Sequence, residues 1–337
     1  MPTPGLTDSF GRQIRYIRLS ITDRCNFRCV YCMPEQGVPS CPHDAILTFE
    51  ELLRFCAIAA SLGISRFKVT GGEPLCRKGA TEFIRSLKKL PGVEQVTLTT
   101  NGSLLSGHMD ALAASGLDAI NVSLDSLNPQ RLQALTRNPA PVADILEGIR
   151  AAQRHNIQIK INVVPIKNYN NADLLPLARY CLENGIHIRF IELMPVGFAK
   201  TCTGISQQFI MDSLQQAFGA FTPVGQPLGN GPAVAYTVPG FASSVGFISA
   251  LSHKFCATCN RIRVTSQGYL KTCLYHNTGL DLRPLLRGNG PGTEKACDKA
   301  LAETLRQPIW EKPRAHDFSY EDRPASPDQF AMSSVGG

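Results

Sequence analysis

Residues 14–32, IRYIRLSITDRCNFRCVYC, carry a strand pattern directly into three cysteines. Apolar and polar residues alternate through IRYIRLSIT (14–22), the period of a β-strand with two unlike faces. Cys25, Cys29 and Cys32 then follow within eight positions, spaced C-x3-C-x2-C. The same kind of strand recurs at RFKVTG (66–71), QVTLTTN (95–101), AINVSLD (119–125), QIKINVVP (158–165) and HIRFIELMP (187–195). Amphipathic stretches lie between and after them. The first, TFEELLRFCAIAASLG (48–63), opens on a Thr48/Glu51 capping box and closes at Gly63. The others are ATEFIRSLKKL, MDALAASG, VADILEGIRAAQRHN, DLLPLARYCLENG and ISQQFIMDSLQQAFG. Six β-then-α units predict a parallel sheet with right-handed crossovers. They are too few for a closed eight-fold barrel, so the expected fold is α/β, a partial (β/α)6, three-quarter TIM-type barrel. Ligands of such folds gather at the C-terminal ends of the strands, where the cysteine loop falls.

After about residue 222 the texture changes to a turn-rich stretch, TPVGQPLGNGPAV, and short β-like runs, AVAYTVP, SVGFIS and RIRVTSQGYLKTCL. The expected division is a barrel domain over 1–221 and a C-terminal extension over 222–337. Within the latter, 312–337 has the composition of a disordered tail.

At 337 residues the chain can bury a substantial core, and 43% hydrophobic with 18% charged residues is ordinary for a globular protein. No apolar run approaches the roughly 18 residues of a membrane span, and the N-terminus has no signal-like apolar core. A cytoplasmic protein, off the membrane, is expected. The net charge of +7 (34 Lys+Arg against 27 Asp+Glu) is compatible with an anionic substrate. No basic block or basic–aromatic interleaving is present, which argues against nucleic acid. Twelve cysteines in such a chain point to metal or redox chemistry rather than to a disulfide framework. Cys41, Cys56, Cys76, Cys181, Cys202 and Cys297 stand alone, and nothing in the sequence assigns them a role. Cys56 and Cys181 fall on apolar helix faces, where cysteine packs as a small hydrophobe.

Three clustered thiols leave two readings open. One is zinc, with Cys41 or His43 as the fourth ligand. The other is an iron–sulfur cubane with one iron left for a substrate. A second set, Cys256, Cys259 and Cys273, is spaced C-x2-C-x13-C. It too reads as zinc, completed by His253, His276 or Cys297, or as a second open cluster. Arg261 and Arg263 alternate on the RIRV run after it, so both point to one face, and guanidinium groups suit phosphate oxygens.

C-x3-C-x2-C with Tyr31 before the last cysteine, followed one strand later by Gly71-Gly72-Glu73-Pro74, resembles the radical S-adenosylmethionine (SAM) superfamily. The ordered set RLSITDRCNFRCVYCMP, TGGEPL, TLTTNG, NVSLDS, KINVV, RFIELMP, FCATCNRIR and a Gly336-Gly337 terminus resembles one family within it, the GTP 3′,8-cyclases of molybdenum cofactor biosynthesis. The match runs from about residue 10 to the end. The resemblance implies two [4Fe-4S] clusters, on Cys25, Cys29 and Cys32 and on Cys256, Cys259 and Cys273. It implies SAM contacts at Tyr31, Gly72, Ser123 and Met194. GTP contacts are implied at Arg18, Lys68, Thr99, Lys160 and Arg261-Ile262-Arg263, and the Gly336-Gly337 tail would enter the active-site cavity. The implied chemistry is SAM cleavage to a 5′-deoxyadenosyl radical, removal of H3′ from GTP, and attack of the C3′ radical on guanine C8. An electron-donor protein and a downstream cyclic pyranopterin monophosphate synthase are the implied partners, with the enzyme a homodimer or monomer. The family more often has arginine where this chain has Lys68; charge is kept and bidentate geometry is lost. Lys160 sits mid-strand, and a buried lysine there is costly without an anionic partner. Arg189 is a candidate for positioning the tail. A peptide-modifying relative with an auxiliary cluster would carry a longer C-terminal cysteine array, and a zinc-stabilised binding protein would need no SAM site.

Overall fold

A computed structural model describes residues 5–39, 41–139, 142–226, 228–288, 294–318 and 332–336. Six strands alternate with helices as the sequence predicts: β1 (Tyr16–Ser20), β2 (Arg66–Thr70), β3 (Gln95–Thr100), β4 (Ala119–Ser123), β5 (Gln158–Val163) and β6 (His187–Ile191). Seven helices follow or separate them: α1 (Phe49–Ser61), α2 (Ala80–Lys88), α3 (Met109–Ala114), α4 (Pro129–Thr136), α5 (Val142–Arg154), α6 (Leu174–Glu183) and α7 (Gln207–Phe218). The Thr48/Glu51 capping box is formed in both directions at the start of α1. Cys56 and Cys181 are fully buried on α1 and α6, as their helix faces imply. Helix α4, Pro129–Thr136, is missing from the sequence reading. Its start was nevertheless marked, since the Asn128 side chain caps Arg131 N–H and Pro129 takes the first turn.

The extension is more than an appendage. It contributes β7 (Thr222–Pro223), β8 (Val234–Thr237), β9 (Ser244–Ile248), β10 (Arg261–Val264), β11 (Tyr269–Lys271) and β12 (Gly279–Asp281). Strand β9 pairs in parallel with β6, and β10 pairs in parallel with β1, with Tyr16 opposite Arg261 and Arg18 opposite Arg263. The order across the sheet is β12-β11-β10-β1-β2-β3-β4-β5-β6-β9-β8-β7. Eight neighbouring strands are thus parallel, two more than the βα units predict. The two extra strands arrive through hairpins (β8–β9 and β10–β11), so no helical period announces them. Helices α8 (Arg283–Arg287), α9 (Glu294–Thr304), α10 (Arg306–Trp310) and α11 (Met332–Val335) complete the described chain.

Strand parity explains both the core and the cavity. Ile17, Leu19, Phe67, Val69, Val96, Leu98, Ile120, Val122, Ile161, Ile188 and Phe190 are buried in one continuous core with the helices. The opposite parity carries Arg18, Lys68, Thr97, Thr99, Asn121, Ser123, Lys160, Asn162 and Arg189. Register aligns Arg263, Arg18, Lys68 and Thr97 in one row, and Asn121, Lys160 and His187 in another. A packed barrel fills its interior with branched apolar side chains. This one lines it with cations and amides, which fits a ligand-holding lumen.

Residues 312–318 depart from the compositional expectation. Lys312 and His316 are buried, because Arg12 donates to the carbonyls of Lys312, Pro313 and Arg314 and His316 bonds Ala250 O. Residues 319–331 and Gly337 lie outside the described residues. Among the described residues no helix is long and apolar enough to cross a membrane.

Candidate active site

The first cysteine loop sits at the C-terminal end of β1, held by its surroundings. Arg28 N–H donates to Thr136 O at 2.7 Å and Val30 N–H to Leu135 O at 2.9 Å, so the end of α4 fixes the loop's path. Asn101 Nδ2 donates to Asn26 Oδ1 at 2.8 Å, and Phe27 N–H approaches Cys25 Sγ at 3.4 Å. The Cys29 and Cys32 thiols are hydrogen-bonded to each other, which with burial pushes Cys29 well up; burial pushes Cys25 up to about 12. Thiolates at such positions require a bound cationic centre to compensate them. Neither zinc candidate joins them. Cys41 instead meets the Asp23 carboxylate and Gln267, and His43 lies 3.4 Å from Arg24. Three thiols that neither Cys41 nor His43 joins suit a cubane that keeps one iron open.

Tyr31, Gly72, Ser123 and Met194 line one cavity with Cys25, Cys29 and Cys32. A Cβ at Gly72 would lie 2.3 Å from Arg24 O, so only glycine permits this approach of the β2 end to the cysteine loop. The next residue, Glu73, is fully buried and accepts from Leu75 N–H, Thr100 Oγ1 and Asn101 N–H, tying the ends of β2 and β3 together. Burial lifts its carboxyl to about 7. Two contributors escaped the sequence reading. Asp125 accepts from Tyr31 OH at 2.7 Å and from Val164 N–H at 2.8 Å, while Asn162 Oδ1 is buried in the cavity wall without a partner. Strand parity could have found Asn162, which shares a face with Lys160.

Deeper in the lumen lie the expected anion contacts. Lys68 is driven well below the ordinary lysine range by burial and then by Arg18, Arg189, Lys160 and Arg261. Burial and Arg189 bring Lys160 to about 8, and burial with Arg18 and Arg261 brings Arg263 to about 9. Arg189 points inward, bonding Asn121 Oδ1 with its Nε left unpartnered. Lys160 donates to Leu228 O, in the loop that closes this end beside Gly229. Of the expected GTP contacts, Arg18, Lys68, Lys160, Arg261 and Arg263 are therefore mutual neighbours. Thr99 lines the upper cavity with the first cysteines. Ile262 faces the core.

Topology puts the second cysteine set at the other end. Cys256 and Cys259 precede β10, which runs parallel to β1, so they lie by the N-terminal end of β1. Cys273 follows β11, which returns antiparallel to the same end. The rule that ligands gather at strand C-termini thus covers only the first set. The zinc alternatives are not assembled here either: His276 Nε2 bonds Ala315 O and His253 Nδ1 bonds Ser252 Oγ. The side chain of Cys297 lies outside the described residues. Five residues of β1 separate the two ends, roughly 16 Å at about 3.3 Å per residue.

The tail enters between them. Val335 and Gly336 are buried, and Arg263 Nη1 donates to Gly336 O at 2.6 Å and to Val335 O at 3.3 Å. Gly336 has φ +73°, and a Cβ there would meet Thr70 Cγ2 at 2.2 Å. Arg263 holds these carbonyls, whereas Arg189 donates to Asn121 Oδ1.

Two family models divide the chain. Residues 19–181 match the radical SAM superfamily and residues 186–318 match Molybdenum Cofactor Synthesis C. A relative named GTP 3′,8-cyclase from Heliobacterium modesticaldum is 42% identical over 98% of this chain and 100% of its own length. Relatives of the same name from Moorella thermoacetica and Clostridium perfringens strain 13 are 40% and 37% identical over the same shares. This chain belongs to the GTP 3′,8-cyclase family. Membership brings SAM and an iron–sulfur cluster as cofactors. Among solved structures, Streptococcus suis SuiB bound to S-adenosylmethionine is 15% identical, covering 88% of this chain and 68% of its own, with a TM-score of 0.59. Native anSMEcpe with bound AdoMet is 14% identical, covering 90% and 82%, with a TM-score of 0.58. Both share the radical SAM fold.

The tail geometry makes this part of the chain sensitive to one methyl group. Gly336→Ala adds a Cβ against Thr70 and strains a left-handed backbone by roughly 1 kcal/mol or more. Carboxypeptidase trimming of the folded protein should be faster in Gly336→Ala than in the parent. Adding Thr70→Ser, which removes Cγ2, should slow it part-way back; equal trimming of parent and Gly336→Ala would contradict the buried tail.

Lys160 supplies a pH dependence. Its folded pKa of about 8 lies below the ordinary 10.5, so between those values the unfolded chain binds more protons and stability of the free protein rises with pH. An anion in the lumen favours the charged form and reverses the shift. Calorimetric binding of inorganic triphosphate near pH 9, in two buffers of different ionisation enthalpy, should show proton uptake that Lys160→Met reduces. Uptake equal in both proteins would remove Lys160 from the anion site.

Proposed function

We propose that this chain catalyses the 3′,8-cyclisation of GTP, the first step of molybdenum cofactor biosynthesis, using two open [4Fe-4S] clusters. Membership in the GTP 3′,8-cyclase family supports the activity. The observation that carries the two-cluster reading is the placement of two incomplete three-cysteine sets at opposite ends of one cationic lumen. When bound, SAM and the first cluster supply the radical that removes H3′. Cys25, Cys29 and Cys32 would hold that cluster, with Tyr31, Gly72, Ser123 and Met194 holding SAM above the lumen. Cys256, Cys259 and Cys273 would hold the second cluster, which would supply the binding site for the guanine.

Between them the chain's own side chains do the positioning. Arg18, Lys68, Lys160, Arg261 and Arg263 offer the charge a triphosphate requires, and the Ile262 backbone lies in the same segment. Lys68 acts as a point charge where an arginine would add a bidentate fork. Thr99, at the upper cavity, is placed nearer the ribose end than the phosphates. Gly336, buried where Arg263 holds its carbonyl, narrows the lumen and would help keep water from the reacting carbon. In this division of labour residues 1–221 supply the SAM site and most of the lumen, and 222–337 supply the second cluster, Arg261, Arg263 and the tail. An electron-donor protein and a synthase converting the product to cyclic pyranopterin monophosphate complete the proposed reaction sequence.

Anaerobic incubation of reconstituted protein with SAM, dithionite and GTP tests the reading. We expect about eight irons per chain and 5′-deoxyadenosine formation that requires GTP and does not occur with ATP. Nucleotide-independent 5′-deoxyadenosine would overturn the substrate, and about four irons would overturn the second cluster.

A further inference from the structure

Lys312 is 2% exposed, yet it has no carboxylate partner among the described residues. Its Nζ donates to Arg261 O at 3.0 Å and to Thr272 O. Arg261 stands two residues after Cys259, and Thr272 immediately precedes Cys273. One ammonium therefore joins the two segments that bring these cysteines together. Arg12 completes the arrangement from the N-terminal side. Its carboxylate partner is Asp8, at 2.5 Å, and it donates to Cys256 O at 2.8 Å and to the carbonyls of Lys312, Pro313 and Arg314. All three cysteine segments are thus tied, directly or through this strap, to two buried cations.

The electrostatics follow the geometry. Of the cations acting on Cys259, Lys312 comes first and Arg261 second. An ammonium has three N–H donors. Two of those of Lys312 are occupied by carbonyls, and among the groups acting on its charge Cys259 and Cys273 come ahead of Arg12 and Arg261.

We propose that Lys312 is a positioning and charge-compensating residue of the second cluster, directing its third donor to cluster or cysteine sulfur and raising the cluster's reduction potential. This rests on the two-cluster reading above. A thiolate-bound cluster becomes more anionic on reduction, and hydrogen bonds and charge near its sulfurs set the potential. A buried ammonium favours the reduced form. Arg263 is bound to the tail carbonyls and Arg261 is shared between the lumen cations and Cys259, whereas the bonds of Lys312 Nζ go to the two segments that carry the second cysteine set.

The full-length chain carrying Cys25→Ala, Cys29→Ala and Cys32→Ala isolates the second set. After anaerobic reconstitution, iron content and an EPR-monitored redox titration are read for this background and for it with Lys312→Met or Lys312→Arg. We expect about four irons in the background. Lys312→Met should lower the midpoint so that the reduced fraction at fixed potential falls at least tenfold, about 59 mV for one electron. Lys312→Arg should stay near the background value. Four irons with an unchanged midpoint in Lys312→Met would leave the residue a backbone tie and overturn the proposal. Should Lys312→Met fail to load iron, Lys312→Arg decides: loading with the parent midpoint supports the charge role, and failure to load overturns it. A background that binds no iron would instead overturn the two-cluster reading.

Discussion

Lysine and arginine side chains from β1, β2, β5, β6 and β10 crowd one enclosed space, and that mutual repulsion is the constraint around which the rest of the chain is arranged. Among the described residues Lys160 donates to a carbonyl and Arg189 to an amide oxygen, both neutral, and Arg263 donates to tail carbonyls. Such an interior is unfavourable in the free protein and becomes favourable with a polyanion bound, because charges in a desolvated site interact strongly. The helices and the continuous apolar core on the other face of the sheet supply the stability that permits it.

The lumen has two ends, and the chain equips them differently. At the C-terminal ends of the strands, glycines and a buried Glu73 bring β2 and β3 close to the first cysteine loop. At the N-terminal ends, β10 and β11 carry a second cysteine set to the edge of β1. A single five-residue strand spans the gap, a length suited to a nucleotide. Arg263, beside Arg18 in register and bonded to the Gly336 carbonyl, links substrate-facing charge to the chain terminus.

Much of this was legible in the sequence. Local signals suffice for the six βα units, for the capping box at Thr48 and for the first cysteine loop, since each depends on period or spacing within a few residues. The family resemblance implied Lys68 and Lys160 as anion contacts, and the parity of β2 and β5 puts both on the lumen face. What escaped depends on long-range pairing: β9 and β10 extend the parallel sheet without a preceding helix, and the burial of 312–318 depends on Arg12, about three hundred residues away in sequence. Asp125 escaped because it stands in the sequence only as the last residue of the AINVSLD run, and only the fold brings Tyr31 OH to it.

The central claim is that substrate guanine meets a cluster held by Cys256, Cys259 and Cys273, at the far end of the lumen from SAM. Electron–nuclear double resonance with GTP labelled with 15N in the guanine measures this directly. The account predicts a 15N coupling to the reduced cluster of the Cys25→Ala, Cys29→Ala, Cys32→Ala chain, and none in a chain with Cys256, Cys259 and Cys273 replaced by alanine. A coupling found only in the latter chain would contradict it.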